Sequence, residues 1–89
     1  MFTIAALYHF TRFPDFAALQ QPLLAFGRAH GIRGSLLLAS EGINGTISGD
    51  RAGIDAILAY IRALPGCADL EHKESWAEVE PFGRFKVRL

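Results

Sequence analysis

Residues 36–49, LLLASEGINGTISG, constrain the fold more than any other stretch of the chain. An apolar run enters a Ser-Glu-Gly-Ile-Asn-Gly knot, and a β-like GTIS leaves it at once. Two extended segments this close in sequence pair antiparallel. Asn44-Gly45 is the strongest short hairpin signal in the chain, because a type I′ turn needs positive φ at both central residues. Gly42 adds a second permissive position. The pattern predicts strands over 33–40 and 45–49, joined by a wide loop over 41–45.

The flanking segments alternate between strand and helix periods. Phe2, Ile4, Ala6, Tyr8 and Phe10 recur at spacing two, and Ala5 and Leu7 are apolar as well. That predicts a central strand covered on both faces. Pro14 and Asp15 then mark the entry to a helix, with Phe16, Leu19, Leu23 and Phe26 at helical spacing. Pro22 either kinks this helix or starts a second one. Gly27 weakens the end, and Gly31 suits the position just beyond it. Asp50 can cap the next helix, in which Ile54, Ile57, Leu58 and Ile61 form one apolar stripe. The polar, alternating segment 68–80 reads as an edge strand. Phe85, Val87 and Leu89 alternate with Arg84, Lys86 and Arg88, which gives a last strand or an extended exit. The order β-α-β-β-α-β plus a tail is the α+β, ferredoxin-like arrangement: an antiparallel sheet with two helices on one face.

At 89 residues this is a single domain, 1–89. A chain of this size buries only about 60–65% of its unfolded surface, so it depends on one good core. Nine basic and nine acidic residues cancel, which excludes nucleic-acid binding by bulk charge but leaves room for a local patch. One cysteine, Cys67, can form neither an intramolecular disulfide nor a zinc site, and such usage fits a reducing cytoplasm. His9, His30 and His72 are scattered without metal-ligand spacing, so neither a metal nor a cofactor is expected. The apolar start MFTIAALYHF lacks a basic n-region and is too short to span a bilayer, so no membrane partner is expected. Tyr8 and Tyr60 read as core-edge residues. The terminal RFKVRL stops in mid-alternation, and a longer protein is expected to continue past Leu89.

The 41–45 loop contains more than a turn needs. Glu41 is a carboxylate flanked by small residues, and Ile43 at a loop tip would expose an apolar side chain unless something covers it. Gly42 and Gly45 would admit a partner close to the backbone or form an amide nest. A plain turn and a contact surface both stand. The acylphosphatases resemble this element order, and Arg12 lies in the loop where that family keeps an Arg. NGTI resembles the Asp-Gly-Thr-Val hairpin of that family. Three residues before Asn44, however, stands Glu41, where the family has an Asn. A carboxylate there repels an acyl phosphate, and HFTRFPDF has no glycine cradle. No catalytic residue is assigned.

GSLLLASEGINGTISG, the helix beginning near DRAGID, KES (73–75), PF (81–82) and an Arg-x-Lys-Val exit together resemble the N-terminal domain of the rhodanese-containing tRNA uridine hydroxylases. The resemblance covers nearly the whole chain, and LLLA-x-EGINGTI is its most specific string. It implies the accessory part of a bacterial cytoplasmic oxidoreductase that hydroxylates the wobble uridine of tRNA. It also implies a rhodanese-like domain with an active-site cysteine following in the same chain. Cys67, in the connector LPGCADL, is not that cysteine. Substrate binding is the natural role for such a domain, since splayed RNA bases are readable. Lys73, Arg84, Lys86, Arg88 and Arg33 are the candidate phosphate contacts, although alternating basic residues also suit a plain solvated face. Trp76 is a candidate for stacking on a base, or else a core or interdomain anchor. The alternatives are a scaffold, with Ile43 packed on the rhodanese domain or a second subunit, and a small acylphosphatase-like hydrolase.

Overall fold

The period switches translate into five strands and two helices in a computed structural model that describes residues 1–89. They are β1 (Phe2–Phe10), α1 (Phe16–Ala29), β2 (Arg33–Ala39), β3 (Gly42–Gly49), α2 (Arg51–Arg62), β4 (His72–Ala77) and β5 (Lys86–Arg88). The sheet order is β4-β1-β3-β2-β5. The first four strands pair antiparallel, and β5 lies parallel to β2 at the sheet edge. Both helices pack on one face, α1 over β2 and β5, α2 over β1 and β3. This is the expected ferredoxin-like fold, with the tail added as a fifth strand. Neither helix is long and apolar enough to cross a membrane.

Local chemistry explains the helices. Asp50 caps α2, its carboxylate accepting from the Gly53 amide at 2.6 Å. Ile54, Ile57, Leu58 and Ile61 are all buried, as the stripe requires. In α1, Asp15 occupies the cap position but makes no side-chain cap bond. Pro22 lies inside one continuous helix and does not begin a second. It faces solvent, so the carbonyl it leaves without a donor is open to water. Gly31 follows the helix with φ 70°, as a residue beyond a C-cap should.

The core lies between the helices and the inward positions of the strands: Leu7 of β1, Leu36 and Leu38 of β2, Ile43 and Ile47 of β3, and Val87 of β5, with Leu23 and the α2 stripe above them. Phe85 closes it at 1% exposure. Gly27 has a packing role that the sequence hides. A β-carbon there would sit 2.2 Å from the Phe85 ring, so the glycine makes the slot for that ring. Helix α1 also grips β5 through Gln20 Nε2 to the Val87 carbonyl at 2.7 Å and Arg28 to the Phe85 carbonyl at 3.2 Å.

Helix α2 is tied to edge strand β4 by an ionic network. Arg51 donates to both Glu74 oxygens, at 2.8 and 2.9 Å, and to Asp55 at 2.7 Å. Arg62 donates to His72 Nδ1 at 3.2 Å, which leaves the imidazole proton on Nε2, directed at Glu74 at 2.7 Å. The hydrogen bond from Arg51, and secondarily the one from His72, hold the Glu74 carboxyl down at about 2.

Two outcomes follow. Gly27→Ala improves helix propensity by about 1 kcal/mol yet should destabilise the fold by about 1–3 kcal/mol through overpacking against Phe85; urea unfolding measures the net. Because the folded pKa of Glu74 is depressed, its ionised form contributes stability above the ordinary value of 4.5, and that contribution is lost as pH falls toward about 2. Glu74→Gln should therefore flatten the acid side of a melting-temperature profile over that window and lower stability above it.

Candidate nucleic-acid interface

The central hairpin turns earlier than the Asn-Gly signal predicts. Ala39 pairs with Gly42, so the turn is Ser40-Glu41, and Asn44 and Gly45 lie within β3 opposite Leu37 and Leu36. Burial decides the register. It places Ile43 and Leu38 on the core side together, at 1% and 0% exposure, and a turn at Asn44-Gly45 would break that pairing. Ile43 is thus a core residue of this domain and not an apolar tip. The glycines answer to the sheet. Gly42 has φ 150° and a β-carbon there would meet the His9 carbonyl oxygen at 2.1 Å; Gly45 has φ 148° and would meet that of Ser35 at 2.2 Å. Glu41 remains exposed at the turn, accepting from the Ser40 hydroxyl at 2.9 Å.

The helices cover only one face of the sheet, which corrects the expectation that β1 is covered on both. Alternation along each strand and the registers define rows across the open face. Tyr8, Asn44, Leu37 and Arg88 form one row over β1, β3, β2 and β5. Lys73, Ala6, Thr46, Ser35 and Lys86 form the next, from β4 to β5. Phe10 lies beyond Tyr8 at the turn end of the sheet. Tyr8 and Phe10 are 62% and 68% exposed. They are the residues that sequence reasoning missed; the signal was two aromatics at the same phase of a strand whose opposite phase already supplied the core.

At the other end of this face the segment after β4 crosses the sheet to reach β5. The Glu80 carboxylate accepts from the Ser48 hydroxyl and stands 3.9 Å from Arg33 Nε. The Gly34 amide donates to the Gly83 carbonyl at 3.3 Å. Between this crossing and the strands lies a hollow of about 560 Å³ lined by Ser35, Thr46, Phe82, Arg84 and Lys86 among others. A smaller hollow of about 190 Å³ lies against Tyr8, Phe10, Leu37 and Asn44.

The candidate basic residues divide. Arg33 bridges to Arg84 across the β2 edge, and Lys86 and Arg88 continue along β5, so these four gather at one side. Lys73 shares the face but lies on the opposite edge strand, four strand spacings or about 19 Å away. Every charged strand residue on the open face is basic. Trp76, 72% exposed, is on the helix-side phase of β4 and does not join them.

The loop after β1 offers no phosphate cradle. The Thr11 and Phe13 amides are spent on the Glu41 and Ser40 carbonyls, at 3.0 and 2.9 Å. Arg12 is exposed beside that turn. Cys67 is fully buried, and burial pushes its thiol pKa up, away from reactivity.

Known proteins resemble this chain at two levels. In sequence, it is 65% identical over 89 residues to the tRNA uridine(34) hydroxylase of Jannaschia sp. (strain CCS1), covering 100% of this chain and 30% of that protein. It is 62% identical over 88 residues to the protein of the same name from Caulobacter vibrioides (strain NA1000 / CB15N), covering 99% and 28%. The chain thus spans under a third of the length of these relatives. In structure, a bacterial light-regulated adenylyl cyclase superposes with a TM-score of 0.75 at 12% identity, covering 99% of this chain and 28% of that one. An acylphosphatase from Coxiella burnetii superposes with a TM-score of 0.63 at 13% identity, covering 98% and 90%. At such identities the structural matches establish the fold alone. The sequence profile of the UPF0176 acylphosphatase like domain matches residues 2–89, and the chain belongs to that family.

Proposed function

We propose that this chain is the non-catalytic, RNA-docking N-terminal domain of a cytoplasmic tRNA uridine(34) hydroxylase, working beside a rhodanese-like domain of the same chain. The separation of charge carries this reading. The molecule is neutral overall, yet on the open face Lys73, Lys86 and Arg88 stand without an ion-pair partner, Glu80 meeting Arg33 alone, while Asp55 and Glu74 pair with Arg51 on the helix side. A face of this kind attracts a polyanion locally without a basic composition. The names of the sequence relatives, tRNA uridine(34) hydroxylases, support tRNA as the substrate. The scaffold alternative loses its anchor, because Ile43 is 1% exposed and packs within this domain. The hydrolase alternative lacks the cradle and the Asn.

The test is binding of an unmodified tRNA across a salt series. Lys86 and Arg88 are exposed, so Lys86→Glu with Arg88→Glu leaves the core intact. The double variant should bind at least about 10-fold more weakly at low salt. Its salt slope should be shallower by about 1.4, since each single-strand phosphate that is no longer neutralised removes about 0.7. Unchanged affinity and slope would remove these residues from any RNA interface.

A further inference from the structure

We propose that Tyr8 and Phe10 form a stacking site for an unpaired base of single-stranded RNA, with the Tyr8–Asn44–Leu37–Arg88 row as the path of the strand. This rests on the RNA-docking reading above and specifies which residues take the bases. The two rings meet edge to face, with centroids 4.8 Å apart and planes at 84°. They therefore make a corner: a base lying flat on one ring meets the other at its edge. The core cannot take these rings, because both helices lie on the opposite face of the sheet. A hollow of about 190 Å³ opens beside them, and the half-buried Asn44 puts an amide, donor and acceptor together, next to Tyr8.

Away from Glu41, which lines the hollow at the turn, the charge along this face is basic and favours a nucleic acid as the occupant. From the aromatic corner the row crosses Asn44 and Leu37 to Arg88, with Lys86 in the neighbouring row. The distance from Tyr8 to Arg88 is three strand spacings, about 14 Å, which suits the two or three nucleotides that sheet-type readers lay across four strands. Aromatic rings in the middle with cations at the edge match bases and phosphates in that order.

The experiment uses the 89-residue chain and two probes at low salt: octauridylate, and an abasic ribose-phosphate octamer. Fluorescence anisotropy gives the affinities. The wild-type chain should prefer octauridylate. Tyr8→Ala with Phe10→Ala should weaken octauridylate binding by about 5- to 150-fold per stacked base, leave the abasic oligomer unaffected and leave the salt slope unchanged. Tyr8→Leu with Phe10→Leu keeps the apolar bulk and should lose the same preference, which separates stacking from a folding defect. Equal wild-type affinity for the two oligomers, or a preference that survives in both double variants, would overturn the stacking site and leave RNA docking in place. Failure of the wild-type chain to bind either oligomer would overturn both. Self-association without RNA that the alanine pair abolishes, seen by sedimentation, would assign the face to a second copy and overturn the proposal.

Discussion

Two helices cover one face of the sheet, and the rest of the molecule is organised by that one-sided cover. Burying Leu7, Leu36, Leu38, Ile43 and Ile47 under α1 and α2 fixes the inward phase of every central strand. The outward phase is then set residue by residue, because side chains alternate along a strand. Tyr8, Phe10 and Leu37 face outward because Leu7, Leu38 and Ile43 face inward. The crossing from β4 to β5 covers this face only at its Ser48 end. The side of the sheet that folding leaves open is therefore the side available for function.

The same constraint explains how a neutral chain can present a charged surface. On the helix side Glu74 of β4 pairs with Arg51 of α2 and so joins the two elements, while Asp55 pairs with the same Arg51 one turn along α2. On the open side, Lys86 and Arg88 alternate with the buried Phe85 and Val87, so the alternation that anchors β5 also puts its cations outside. Helix α1 holds this short strand by bonds to the Phe85 and Val87 carbonyls and by the slot at Gly27. The basic edge is thus positioned by core packing.

Long periodic segments were legible in the sequence. The α2 stripe, its Asp50 cap, the edge character of β4 and the order of elements follow from spacing alone. The turn was not, because Asn44-Gly45 is a strong local signal and the register is set by a non-local pairing of Leu38 with Ile43. Local propensity lost to burial, and Gly42 and Gly45 serve close strand approach. Gly27 was opaque for the same reason: its partner, Phe85, is distant in sequence. For the site, alternation in RFKVRL exposed the β5 cations. It could not show that Arg33 joins Arg84, Lys86 and Arg88 while Lys73 is at the far edge. The aromatic corner was hidden because β1 is apolar in both phases, which reads as a strand covered twice.

The most direct measurement is a nitrogen-15 NMR titration of this chain with an unmodified tRNA that has a wobble uridine, and with one that lacks it. An open-face RNA site predicts salt-sensitive shifts clustered on Tyr8–Phe10, Asn44, Leu37 and Lys86–Arg88, with α2 silent and a stronger response to the wobble-uridine tRNA. Shifts confined to the helix side, or a spectrum unchanged by either tRNA at low salt, would contradict it.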